Sequence, residues 1–308
     1  VLVTLWQDGQ IIRSSGVPWV SSKAMPISQV WGNTQDDLAL FTASGQAVMV
    51  PLHQLPADQD TPVTSLVSFA GPERLVAALA LPHLTGEEDT PEIYVTLATR
   101  GGRIKRIALE DLAAATRGSV TAMGVEEGDE MLWAVASAGQ GELLMVTRQG
   151  KAIRFSEEEV RPMGLSAAGV LAIKLADDDV VVGLGLVQDG AFVALITDRG
   201  FAKRSPVQDY PAQKRYGGGV QAAKLSSRSG LVASAVVATD DQDLVLVTEK
   251  GRVTKMPLSA LASLGRPAAG TGKRQDNSEP YLEEDKHGLA SRLTALAGSK
   301  PKKAKAKS

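Results

Sequence analysis

LLMVTRQGKAIR, residues 143–154, decides how this chain is read. An apolar run ends in Thr147, two polar residues follow, Gly150 comes next, and a second run ends in the base Arg154. Val, Leu, Ile and Thr in both arms favour extended backbone, and a glycine between them suits the positive-φ place of a tight turn. The stretch predicts a β-hairpin, and the same hairpin returns along the chain. It reads LVTLWQDGQIIR (2–13), LALFTASGQAVM (38–49), YVTLATRGGRIKR (94–106), VALITDRGFAKR (193–204) and LVLVTEKGRVTK (244–255). The register glycines are Gly9, Gly45, Gly102, Gly150, Gly200 and Gly251, spaced 36 to 57 residues apart. Three residues before them stands Thr in every unit but the first, which has Trp6. Two residues after them the side chain is always apolar, and four after them it is Arg or Lys except at Met49.

A second, weaker theme fills the intervals. GVLAIKLADDDVVVGLGLV (169–187) and GVQAAKLSSRSGLVASAVV (219–237) match almost position for position, and VEEGDEMLWAVAS (125–137) and GPERLVAALALP (71–82) look like shorter versions. This adds strand material and predicts about four strands per unit of about 50 residues, the size of a propeller blade. The expectation is an all-β, six-bladed β-propeller-like ring over residues 1–272, because one blade cannot bury both its faces alone. A two-sheet sandwich of this length is the structural rival. Residues 273–308 read as a polar, Lys-rich tail, largely disordered, in which HGLASRLTALAG (287–298) has the apolar spacing of a short helix.

Composition narrows function. The chain has 308 residues, 33 Lys+Arg against 35 Asp+Glu, a formal net charge of −2, three His and no Cys. Disulfides, thiolate metal sites and a cysteine nucleophile are excluded, and His53, His83 and His287 are too far apart in sequence to suggest an imidazole site. No apolar run approaches the roughly 18 residues of a membrane helix, no signal peptide opens the chain, and Val1 already lies inside a strand pattern, so the sequence reads as part of a longer polypeptide. No cofactor is expected.

The tail carries nine bases and five acids, so residues 1–272 are net acidic. Yet sixteen bases of that body fall in or just after the hairpins: Arg13; Arg100, Arg103, Lys105 and Arg106; Arg148, Lys151 and Arg154; Arg199, Lys203 and Arg204; Lys214 and Arg215; Lys250, Arg252 and Lys255. In a ring, equivalent hairpins point the same way, so these bases are expected to form a band, with the acids of 126–130, 177–179 and 240–243 elsewhere. Such a band suits the phosphate backbone of duplex DNA, bound with little regard to sequence. On this reading, replacing Arg106, Arg154 and Arg204 by Ala weakens binding without unfolding the domain. A protein-binding propeller that reads acidic partners through the same edge is the alternative.

The hairpins TRGGRIKR (99–106), TRQGKAIRF (147–155), TDRGFAKR (197–204) and TEKGRVTK (248–255) resemble the C-terminal domain of bacterial type II topoisomerase A subunits, DNA gyrase and topoisomerase IV, as do VRPMGLSAAGVLAIKLADDDVVVG (160–183) and RSPVQDYPAQKRYGGGVQAAKL (204–225). The resemblance implies a six-bladed β-pinwheel, in which neighbouring blades exchange strands and DNA bends around a basic perimeter. It also implies a cytoplasmic, nucleoid-associated bacterial enzyme. The partners would be duplex DNA, the breakage-reunion domain of the same polypeptide and the ATPase B subunit. The fragment itself lacks the catalytic tyrosine domain. Gyrases carry a Gln-Arg-Arg-Gly-Gly-Lys-Gly box in the first blade; SSGVPWVSSKAMPISQV (14–30) has none, and the nearest echo is QKRYGGG (213–219).

Other patterns weigh little. GRPAAGTGKR (265–274) lacks the first glycine and final hydroxyl of a phosphate loop. Asp177, Asp178 and Asp179 lack the spacing of a calcium loop. Trp6, Trp19, Trp31 and Trp133 are too scattered to make a stacking platform.

Overall fold

A computed structural model describes residues 1–15, 26–69, 71–84, 92–248, 250, 252–273, 281 and 290–295. Its strands follow the units of the sequence. The first holds β1 (Leu2–Trp6), β2 (Gln10–Ser14) and β3 (Pro26–Trp31), the second β4 (Asp37–Thr42), β5 (Gln46–Pro51), β6 (Thr61–Pro62) and β7 (Leu75–Leu81). Then come β8 (Tyr94–Thr99), β9 (Arg103–Ala108), β10 (Val120–Thr121) and β11 (Met131–Ser137), followed by β12 (Glu142–Thr147), β13 (Lys151–Ser156), β14 (Val170–Leu171) and β15 (Val181–Leu186). The fifth holds β16 (Phe192–Thr197), β17 (Ala202–Pro206), β18 (Val220–Gln221) and β19 (Val232–Ala238), the last β20 (Asp243–Thr248), β21 (Val253–Pro257) and β22 (Ala290–Ala295).

The turns explain the repeated residues. Gly45, Gly102, Gly150 and Gly200 each have φ between 76° and 84°, and each donates its N–H to the carbonyl of the Thr three residues earlier. The same Thr then accepts a second N–H on its hydroxyl: Gln46 on Thr42 (3.1 Å), Arg103 on Thr99 (3.2 Å), Lys151 on Thr147 (3.2 Å) and Phe201 on Thr197 (3.1 Å). Where Trp6 replaces Thr, Asp8 Oδ1 accepts the N–H of Gln10 instead (3.1 Å). At Gly45 a Cβ would also stand 2.1 Å from the Met123 carbonyl oxygen, so only glycine fits.

Each sheet borrows a strand. The short third strand of one unit leaves its own hairpin and pairs with the second arm of the unit before: β6 with β2, β10 with β5, β14 with β9 and β18 with β13. In the last unit Thr271 makes the equivalent bridge to Ala202. Among the described residues, the long strands β3, β7, β11, β15, β19 and β22 pair with the first arms and end their sheets on the other side. The hydrophobic cores lie between sheets. Leu40 and Val48 pack with Leu5 and Ile11, Phe41 with Leu97, Ile104 with Met145 and Ile153, Val146 with Leu195, and Ile196 with Leu246. The long strands also touch in succession, β3 on β7, β7 on β11, β11 on β15, β15 on β19, β19 on β22 and β22 on β3. The architecture is an all-β, propeller-like fold.

Two boundaries read from sequence change. The fold does not stop at residue 272: Tyr281 is buried in the core between the last two sheets, and β22 lies at 290–295. Residues 290–295, read as part of a helical stretch, form a strand paired with β20 from Leu244↔Ala295 to Thr248↔Ala290. The ladder decides here, because β20 offers a free edge that a strand satisfies and a helix does not. The rest of the tail and most of the segment 14–30, in which no box is found, lie outside the described residues.

Candidate nucleic-acid interface

The sixteen hairpin bases divide by position in the hairpin. Those at or beside the turn stay open to solvent. Arg100, Arg148 and Arg199 are exposed, as is Lys151 at the start of the second arm. Arg103, at the same place as Lys151, is half-buried and paired with Glu126 at 2.5 Å, and its guanidinium donates to the Gly169 carbonyl (3.3 Å). Lys250 and Arg252 are exposed at the last turn.

Bases further along the second arm turn inward, which corrects the expectation of a continuous exposed band. Lys105 and Lys203 are fully buried. Lys105 Nζ donates to the Ala122 carbonyl (2.7 Å), and Lys203 Nζ to the carbonyls of Gly265 (3.2 Å) and Arg266 (2.5 Å). Desolvation lowers both ammonium groups to about 8, with the Arg266 charge adding to the effect at Lys203. Arg106 is buried, stacks on Tyr94 at 4.5 Å and donates to the Gly139 carbonyl (2.8 Å). Arg154 pairs with Glu142 and donates to the carbonyls of Val207 (3.3 Å) and Tyr210 (3.2 Å). Arg204 pairs with Asp240 and stacks on Phe192 at 4.6 Å, and Lys255 pairs with Asp243 at 2.9 Å. Arg13 is half-buried, beside the bridge to Ala57. Arg106, Arg154 and Arg204 are therefore packed structural groups, and their replacement is not the neutral probe of the surface that the sequence suggested.

The return segments add bases that the hairpin pattern missed. Ala172 N–H donates to the Gly102 carbonyl (2.8 Å) and Ala222 N–H to that of Gly150 (2.7 Å), which fastens each segment to the preceding unit's turn. Two residues on stand the exposed Lys174 and Lys224. Each turn thus gains a base on the outermost strand's side: Arg100, Arg103 and Lys174 at one, Arg148, Lys151 and Lys224 at the next. The signal was present in GVLAIKL and GVQAAKL, where the two lysines share a repeat position. Lys214 is exposed on its segment, whereas the neighbouring Arg215 clamps the carbonyls of Glu159 (3.3 Å) and Leu171. Arg266, one unit later, clamps the carbonyls of Asp209 (3.0 Å) and Gln221 in the same way.

The acids are not set apart from the turns. Asp129 Oδ1 accepts the Gly101 N–H (2.7 Å) and Asp179 Oδ1 that of Gln149 (2.9 Å), so both cap the turns themselves. Asp179 is thereby a capping group. Among the described residues no group of three or more His, Cys, Asp or Glu is arranged to hold a metal ion, and no helix is long and apolar enough to cross a membrane.

Comparison with known proteins fits this architecture. The family model described as "DNA gyrase C-terminal domain, beta-propeller" matches residues 36–58, 94–137, 141–188, 191–239 and 242–271. The DNA gyrase A subunit of Mycobacterium leprae is 31% identical over 244 residues, covering 77% of this chain and 19% of that protein. Its counterpart in Aminobacterium colombiense is 32% identical over 242 residues, covering 78% and 29%. The chain thus spans under a third of these relatives' length. A crystal structure of the C-terminal domain of DNA topoisomerase IV superposes with a TM-score of 0.80 at 23% identity, covering 96% of this chain and 92% of that one. The DNA gyrase A C-terminal domain gives 0.74 at 18%, covering 96% and 99%. Five matched segments, four of which contain a turn of the kind built above, place this chain in the DNA gyrase C-terminal domain family, with the β-propeller class of fold.

Proposed function

We propose that this domain binds duplex DNA along its outer rim and bends it, as the C-terminal domain of a gyrase or topoisomerase IV A subunit that presents DNA for ATP-dependent strand passage. The observation that carries this is the recurrence of exposed bases at equivalent turns, Lys174 at one, Lys151 with Lys224 at the next, and Arg199 with Lys250 and Arg252 further on. Recurrence on successive sheets suits a repeating polyanion, and contacts of this kind are made to phosphate and tolerate sequence. The rim is read as that of a six-bladed β-pinwheel, supported by the six sheets, the borrowed strands and the contact of β22 with β3. On this reading the domain is a non-catalytic part of a cytoplasmic bacterial topoisomerase. It works with the breakage-reunion domain of its own polypeptide and with the ATPase B subunit.

The test is the salt dependence of duplex affinity. With about 6–10 phosphate contacts, affinity falls by about 10³–10⁵ between 50 and 200 mM salt. Replacing Lys151, Lys174 and Lys224 by Ala weakens binding on unrelated sequences alike and lowers the salt slope by about 1 per residue. No binding at low salt, or a flat response, overturns the proposal. Ligating nicked plasmid with the domain bound reads bending and wrapping as a change in linking number. The expected positive shift is smaller than that of a box-containing gyrase domain.

A further inference from the structure

The inner strands enclose an axial cavity of about 850 Å³, reached by residues of β3, β7, β11, β15 and β19. Its size is that of a small-molecule site. Two kinds of wall meet in it. The flanks are apolar, among them Leu132, Ala134, Val182, Ala233 and Val236. Between the flanks run strand edges, because each inner strand is the last of its sheet and has no ladder partner on the axial side. One such carbonyl, that of Ala78, accepts the Ser28 hydroxyl (3.1 Å). At the end nearest the hairpin turns the lining includes Arg74, Arg100, Arg148 and Asp198. Arg74 is committed to Glu130 at 2.5 Å, and Asp198 Oδ1 accepts the Leu231 N–H (3.1 Å). Arg100 and Arg148 stand on consecutive units, and among the described residues neither guanidinium has a hydrogen-bond or ion-pair partner.

We propose that this cavity is a binding site for a small organic phosphate, with the phosphate between Arg100 and Arg148 and the body inside the axial channel. Two guanidinium groups supply donors in planar forks that match a phosphate dianion. The strand edges offer N–H and C=O groups to a polar body, and the Val, Leu and Ala flanks offer apolar contact to a ring. A carboxylate has the same attraction to the arginines, so the test includes one.

The experiment titrates the whole domain with 1-naphthyl phosphate, read by its fluorescence, alongside 1-naphthoate, 1-naphthol and inorganic phosphate. The phosphate ester is expected to bind saturably at one site, about tenfold more tightly than the naphthol or inorganic phosphate. Arg100→Gln with Arg148→Gln is expected to bring it down to the naphthol. Ala233→Leu and, separately, Ala134→Leu narrow the channel and are expected to abolish ester binding, with a thermal melt reporting the fold. These two variants keep duplex affinity, whereas Lys174→Ala with Lys224→Ala weakens duplex affinity and keeps the ester, which separates this site from the DNA rim. The proposal is overturned if the ester binds no better than inorganic phosphate, or if binding survives loss of both arginines. Equal binding of the naphthoate overturns the choice of phosphate over carboxylate.

Discussion

Lys203 is fully buried and satisfies its ammonium group with two backbone carbonyls. Burial brings Lys203 and Lys105 down to about 8, whereas in the unfolded chain a lysine titrates near 10.4. Between those values the unfolded chain binds more protons than the folded one, so stability rises with pH across that window and the penalty of burying the charge is complete below it. Relative to Lys203→Met, the native domain should gain stability from pH 8 to pH 10, read as the difference between their denaturant midpoints; a constant difference contradicts the shift. Arginines of the same hairpins sort the same way. Arg106→Ala removes a buried guanidinium from the Gly139 carbonyl and the Tyr94 ring and should cost about 1–3 kcal/mol in urea unfolding. Lys151→Ala, at an exposed position, should stay within about 0.5 kcal/mol.

At the scale of the element, the hairpin turn is a small hydrogen-bonded device rather than a flexible link. The Thr carbonyl takes the glycine N–H, and its hydroxyl takes the N–H that opens the second arm. Thr147 and Thr197 are fully buried, so Val in their place keeps the shape and strands a donor. Thr147→Val and Thr197→Val should each cost about 1 kcal/mol, and the double variant should show nearly the sum, since the two turns belong to different units. A chemical-denaturation series on the three variants checks both statements. The return segment is the second device. Arg215 and Arg266 each tie the turn after one unit's hairpin to that unit's outermost strand, and so hold the borrowed strand in place.

The whole molecule depends on contacts between sheets, since every large core cluster is shared by two of them. The last sheet takes its inner strand from far along the chain, and β22 touches both β19 and β3. Ending the chain after Tyr281 should therefore lower the melting temperature and loosen the first and last units together, seen as faster amide exchange in β3 and β20. Ending it after Ala297 removes the Lys tract 300–307 and should leave the melt unchanged while weakening DNA binding at low salt, by about one counterion per lysine engaged. If both truncations behave alike, β22 contributes nothing to the fold.

The sequence by itself determined the hairpins and the glycine, threonine and apolar positions within them, because a turn and its two arms are built from residues a few places apart. Hydroxyl, N–H and left-handed glycine meet within five residues, so their pattern is legible without the rest of the chain. It also located the bases at the turns, which solvent leaves where the strand puts them. Tertiary structure alone decided which bases are surface groups. Lys203 reads like its neighbours until the carbonyls of Gly265 and Arg266 arrive from 62 and 63 residues away and remove it from water. It likewise turned residues 290–295 from a helical spacing into a strand, since the edge of β20 is a partner that no local pattern records. The net charge of −2 carries no hint of either outcome. Burial and pairing are set by groups distant in the chain, and these cancel the bases deep in the hairpins while leaving those at the turns exposed.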